Sequence, residues 1–140
     1  MQLIELKEQI VKNIINPIYI FTGEEIAIMN IYINKIIEIS KASVLRAESM
    51  SLIYTKLQIE SFINKKMCYI IRDDKEYMQQ EKIWYSINNG SIQKDNIIIL
   101  LYTNIDKRSK FYKQHTDIIV DFEKLSPEIL SKYIDKEIGL

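Results

Sequence analysis

Pro17-Ile18-Tyr19-Ile20-Phe21-Thr22-Gly23-Glu24-Glu25 is the stretch on which the fold turns. The apolar run 18–21 follows a proline and stops at Thr22-Gly23, and apolar positions at helical spacing then continue from Glu24 to about Ile39. That is a buried strand entering a helix through a very short turn. Residues 1–15 carry Leu3, Ile4, Leu6, Ile10, Val11, Ile14 and Ile15 near a helical period and end at Asn16-Pro17, so a short amphipathic helix precedes the strand. Beyond the first unit, residues 43–47 read as a weaker strand. Residues 51–63 read as a helix with Ser51 as N-cap, 67–71 as a strand, and 75–87 as a helix closed by Asn88-Asn89-Gly90. The most apolar strand is 96–102, suited to a sheet covered on both faces, and a short basic helix (107–114) leads to a fifth strand (117–122). Strand and helix alternate, and each crossover is long enough to bring the chain back parallel. The class is α/β, with a five-stranded, mainly parallel sheet flanked by helices.

With 140 residues, 47% of them apolar, the chain can bury roughly two thirds of its unfolded surface in one core. Nineteen basic residues balance nineteen acidic ones, so no net field draws the chain to a phosphate backbone or an anionic membrane, and any role with DNA is expected to be local or borrowed indirectly from a partner. The lone Cys68 lies in the apolar run 67–71, which excludes an intramolecular disulfide and implies a reduced, buried thiol in a cytoplasmic setting. The first residues mix charge with apolar side chains, unlike a signal peptide, and no apolar run approaches the roughly 18 residues of a membrane span. Heavy use of isoleucine weakens any helix-or-strand assignment based on β-branching.

A phosphate-binding loop needs several glycines, a lysine and a hydroxyl. The first turn offers one glycine, no lysine, and two acids at the positive helix end where phosphate would sit. Glu24 and Glu25 therefore read as partners of the helix's own dipole. Ile70-Ile71-Arg72-Asp73-Asp74 has the outline of a magnesium-binding acid pair, but Arg72 stands where the acid should directly follow the apolar run. Asp73 and Asp74 read better as loop residues or the N-cap of the next helix. A phospho-acceptor receiver would need a second acidic cluster after the first strand, and Glu24-Glu25 lie in the helix start instead. His115, among Lys113, Gln114, Thr116 and Asp117, reads as solvated, with no Cys or Glu at metal-ligand spacing. Cys68 lies mid-strand with no histidine near it in sequence, poor placement for an activated thiolate. Lys107-Arg108-Ser109-Lys110 with Lys113 reads as a solvated helix face in preference to a nucleic-acid contact. No catalytic, cofactor-binding or metal-binding residue is assigned.

Ser126-Pro127-Glu128 has the serine, proline and acid of a helix start, followed by apolar Ile129, Leu130, Tyr133, Ile134 and Ile138. Together with Leu3-Ile4-Glu5-Leu6-Lys7, the 17–25 stretch, Asp95-Asn96-Ile97-Ile98-Ile99-Leu100 through Ile105-Asp106-Lys107-Arg108, and Val120-Asp121-Phe122-Glu123-Lys124-Leu125, the chain resembles the N-terminal domain of the delta subunit of the bacterial DNA polymerase III clamp loader. The resemblance implies an AAA+ core, related to P-loop NTPases but without a functional P-loop, over residues 1–125. Residues 126–140 would begin a truncated helical lid. It implies a non-catalytic subunit of DNA replication that needs no cofactor, contacts other loader subunits, and binds the sliding clamp (beta) to help open the ring. Family members bind the clamp largely with a Leu-Phe pair at the end of the helix before the third strand. Here Ser61-Phe62-Ile63 stands at that place, with Phe62 matching, Ser61 departing from the leucine, and Ile63 able to supply the second apolar group. Leu52-Ile53 is the alternative contact. At about 100° per residue Leu52, Ile59 and Ile63 fall within about 40° of one another as a core stripe, and Phe62 lies roughly 60–100° from it. The competing readings are a degenerate nucleotide-binding or receiver-like regulatory domain, and a small α/β enzyme using Cys68 or Asp73-Asp74.

Overall fold

The computed structural model describes residues 1–59, 66–88 and 95–123, with 127, 128, 131 and 132. Its elements run α1 (Leu3–Val11), β1 (Ile18–Gly23), α2 (Ile26–Ser40), β2 (Ser43–Ala47), α3 (Met50–Ile59) and β3 (Met67–Arg72). A short 3₁₀ turn (Tyr77–Gln79), α4 (Glu81–Asn88), β4 (Ile97–Tyr102), α5 (Lys110–Gln114) and β5 (Ile119–Phe122) complete it. The five strands form one sheet of order β2-β3-β4-β1-β5, and every pairing is parallel. This order differs from the 2-1-3-4-5 arrangement of receiver-like folds, so the receiver reading is set aside on topology.

Period-two alternation sorts each strand's side chains between two cores. Tyr19, Phe21, Cys68, Ile70, Ile97, Ile99, Leu101, Val120 and Phe122 face α1 and α2. Ile18, Ile20, Tyr69, Ile71, Ile98, Leu100, Tyr102 and Ile119 face α3, α4 and α5. β4 is buried at all six positions, as a central strand covered by helices on both faces must be. Helix α2 covers its face with Ile28, Met29, Tyr32, Ile33 and Ile36. Helix α1 is tied on by Leu6, which is fully buried, and by the Tyr19 hydroxyl, which accepts from Asn16 N–H and donates to Gln9 Oε1.

Three local expectations are corrected. Helix α3 begins at Met50, not after Ser51, and the hydroxyl at its start that accepts a turn N–H, from Leu52, belongs to Ser49. Among its described side chains Met50, Ile53 and Leu57 are buried, while Leu52 is 64% exposed, so Leu52, expected in the core stripe with Ile59 and Ile63, is not on the core face. Ile63 and the side chain of Ile59 lie outside the described residues. The 75–87 helix is broken into a 3₁₀ turn and α4 at Gln80 (φ −98°, ψ 66°). The Tyr77 carbonyl there accepts from the Trp84 indole N–H and from Gln80 N–H, which displaces the bond that would continue an α-helix. In the 126–140 segment Pro127, Glu128, Ser131 and Lys132 are helical; Ser126, Ile129, Leu130, Tyr133, Ile134 and Ile138 lie outside the described residues.

Candidate functional site

In an open parallel sheet the ligand crevice lies beyond the carboxyl ends of the strands, where neighbouring strands send their connections in opposite directions. Here that point is between β1 and β4. The chain leaves β1 toward β2 and leaves β4 toward β5. A hollow of about 290 Å³ opens there, lined among others by Thr22, Gly23, Glu24, Lys107, Asp121 and Glu123. A second, of about 170 Å³, is bounded by Ile26, Met29, Arg72, Asp73 and Tyr102.

The turn between β1 and α2 is closed onto β5. Glu24 N–H and Glu25 N–H both donate to the Phe122 carbonyl, at 3.1 and 3.3 Å. Those are amides that a phosphate loop would aim at its ligand. Gly23 permits the approach: its φ is +121°, and a Cβ there would stand 2.1 Å from the Phe122 oxygen. The charges around the crevice are also unsuited to phosphate, since Glu24, Asp121 and Glu123 line the larger hollow against Lys107. Burial pushes the Asp121 carboxyl up, the Glu123 charge adds to the rise, and Lys107 opposes it.

Asp73 and Asp74 are structural, as the sequence suggested. Asp73 (φ +51°) accepts from Thr103 N–H and the Thr103 hydroxyl. The buried Asp74 carboxylate accepts from Tyr77 N–H at 3.2 Å, holding the 3₁₀ turn, and from Met50 N–H at 2.6 Å. It thus caps α3 from a different segment, and the Tyr102 hydroxyl donates to its main-chain carbonyl at 2.7 Å. The nearness of Asp74 adds to burial in pushing the Tyr77 and Tyr102 phenols up.

His115 is not solvated. It is fully buried, packed against the Phe111 and Trp84 rings at 4.5 and 5.1 Å between centroids. Its Nδ1 lies 2.6 Å from the Phe111 carbonyl, which can only accept, so Nδ1 carries the proton and Nε2 accepts from Asn88 Nδ2. Burial holds its pKa below the ordinary value, and the ring is a neutral structural piece. Cys68 is buried in β3, its thiol pushed up to about 11 by burial against the partial relief of Arg46. Arg108 pairs with Asp106 and Lys110 with Glu81, which places both basic side chains in exposed ion pairs. Arg108 in turn holds the Asp106 carboxyl below its usual range.

Of the expected clamp-contact residues, Ser61, Phe62 and Ile63 lie outside the described residues. The alternative pair divides: Leu52 is exposed on α3, whereas Ile53 is 2% exposed and belongs to the core. Among the described residues no group of three or more His, Cys, Asp or Glu side chains could hold a metal ion, and no helix is long and apolar enough to cross a membrane.

No protein-family model matches the chain, and no curated protein does. Among solved structures, the DNA clamp loader delta protein of Bacillus subtilis superposes with a TM-score of 0.65 over 93% of this chain, at 11% sequence identity. The chain spans 45% of the length of that protein. The two share a fold: a clamp-loader-delta-like α/β domain in which the first strand-to-helix turn of the present chain is sealed by its own fifth strand.

Proposed function

We propose that this chain is the N-terminal domain of a clamp-loader delta subunit, a non-catalytic part of the cytoplasmic DNA-replication machinery that binds the sliding clamp and helps to open its ring. The observation that carries the reading is the sealed turn, with Glu24 and Glu25 N–H groups given to Phe122 in a fold shared with a clamp loader delta protein. A core that spends these amides internally has no phosphate cradle at the switch point, which suits a subunit that works by contact while its neighbours hydrolyse ATP. In this reading residues 1–125 are the core and 126–140 the start of a lid, with Phe62 and Ile63 as clamp anchors beside Ser61. Leu52, exposed on α3, remains available to the same partner; Ile53 supports it from within the core. Other loader subunits complete the assembly, and DNA is met through it.

The test is calorimetric titration of the chain with the beta clamp of its source organism and, separately, with ATP and magnesium. Saturable clamp binding with no ATP heat is the expected result. ATP binding at micromolar concentration would instead establish the degenerate nucleotide-binding alternative, and absence of clamp binding would remove the proposed role.

A further inference from the structure

Among the described residues β2 is an edge strand, paired on one side with β3 and bordered by no strand on the other. Parallel register sets Arg46 opposite Ile70, and Arg72 lies two residues beyond Ile70 on the same face. Strand spacing and rise put the two arginine Cα atoms about 8 Å apart, within reach of a single small group between their side chains. On this face α1 and α2 sit toward β5, and among the described residues β2 is left open, with Val44 42% exposed. Arg46, Ala47, Glu48, Ile70 and Arg72 line a hollow of about 290 Å³ there.

Both arginines are exposed. Among the described residues neither has an ion-pair partner, whereas Arg108 and Lys110 each have one. Like charges on neighbouring strands of one face are unfavourable without a counter-charge. The planar guanidinium forks are the groups best shaped to clasp a carboxylate. Glu48 at the rim and the apolar floor make a poor track for a polynucleotide, whose affinity grows with the number of phosphates neutralised. An extended peptide fits better, because residues at alternate positions along a strand share one face.

The geometry points to the open edge of β2 as a docking surface for an extended acidic segment of a partner protein, its carboxylate held between Arg46 and Arg72 and an apolar side chain against Val44. The inference does not rest on the proposed clamp anchors, and its test is independent of theirs. The test uses the whole chain and fluorescence anisotropy with three labelled probes: a short peptide alternating glutamate and valine, its lysine–valine counterpart, and a thymidine oligonucleotide of the same charge as the acidic peptide. The acidic peptide should bind, and Arg46→Ala with Arg72→Ala should weaken it about tenfold or more. Arg46→Lys with Arg72→Lys should recover only part of the loss, since lysine keeps charge but not the fork. Amide shifts on peptide addition should centre on residues 43–48 and 70–72. The proposal is overturned if the oligonucleotide binds as well as or better than the acidic peptide, if the double alanine variant binds it unchanged, if the shifts centre elsewhere, or if it does not bind at millimolar concentration.

Discussion

Replacing Asp74 with alanine removes the acceptor of two buried N–H groups at once. Its carboxylate takes Met50 N–H at 2.6 Å and Tyr77 N–H at 3.2 Å, and both donor residues are fully buried, so water cannot stand in without opening the core. A charge-assisted hydrogen bond contributes about 1.5–3 kcal/mol and a helix N-cap about 0.5–2 kcal/mol. The short bond to Met50 falls in both categories and the longer one to Tyr77 is the weaker. The expected loss for Asp74→Ala is therefore about 3 kcal/mol. The Tyr102 hydroxyl bond goes to the main-chain carbonyl of residue 74 and survives the change. Asp74→Asn keeps one carbonyl acceptor and turns an NH₂ toward the other donor, so it should lose about half as much. Urea unfolding followed by far-UV circular dichroism measures both losses, and an unchanged slope with denaturant shows that the difference lies in stability. A loss below about 1 kcal/mol for the alanine variant would refute the capping account, and an asparagine variant as stable as the parent would show that the charge contributes nothing.

Gly23→Ala drives a Cβ to 2.1 Å from the Phe122 oxygen at a φ of +121°. It should cost about 3 kcal/mol or more, and a thermal melt showing a near-neutral change would overturn the close approach of β1 to β5. Because burial lowers the folded-state pKa of His115, the unfolded chain takes the proton first as pH falls below about 6.5. Stability should decline below that pH by up to about 1.4 kcal/mol per pH unit until the folded pKa is reached. Denaturation of the parent and of His115→Asn at pH 5 and pH 7 checks this, and equal pH dependence of the two proteins would contradict it. With its thiol pushed up to about 11, Cys68 should resist iodoacetamide at pH 8 in the folded protein and react on unfolding; folded-state labelling at the rate of a free cysteine would count against burial. Phe62→Ala should lower clamp affinity by about 2 kcal/mol or more with little change in the melt if Phe62 is the anchor. A stability loss of about 3–5 kcal/mol would identify a core aromatic instead, and unchanged clamp binding in a folded variant would move the contact to Leu52 or another surface.

The strands were the most legible part of the sequence because their burial is two-sided. β4 reads as an unbroken apolar run, and the structure divides that run by alternation between two cores. Register was not legible, since nothing along one strand names its neighbour; Arg46 and Arg72 meet only once β2 is laid beside β3. The α3 face was misassigned because isoleucine occupies so many positions that several stripes compete, although Met50, Ile53 and Leu57 already had i, i+3, i+7 spacing. His115 was misread from its polar neighbours along the chain. The signal that identifies it is Phe111, four residues earlier and on the same side of α5, with which it shares the buried face.

The first turn shows the same limit from the functional side. Lack of a lysine and of further glycines excluded a phosphate loop from sequence alone, but a missing motif does not say what becomes of the amides it would have used. Two N–H groups at a helix start require acceptors when no ligand supplies them. The Phe122 carbonyl meets that need, and Gly23 makes the distance possible. The two bonds join the start of α2 to β5 at the mouth of the crevice. The same fixing of one segment by another recurs elsewhere: the Asp74 carboxylate holds the start of α3 against the end of β3, and the parallel register sets Arg46 against Ile70.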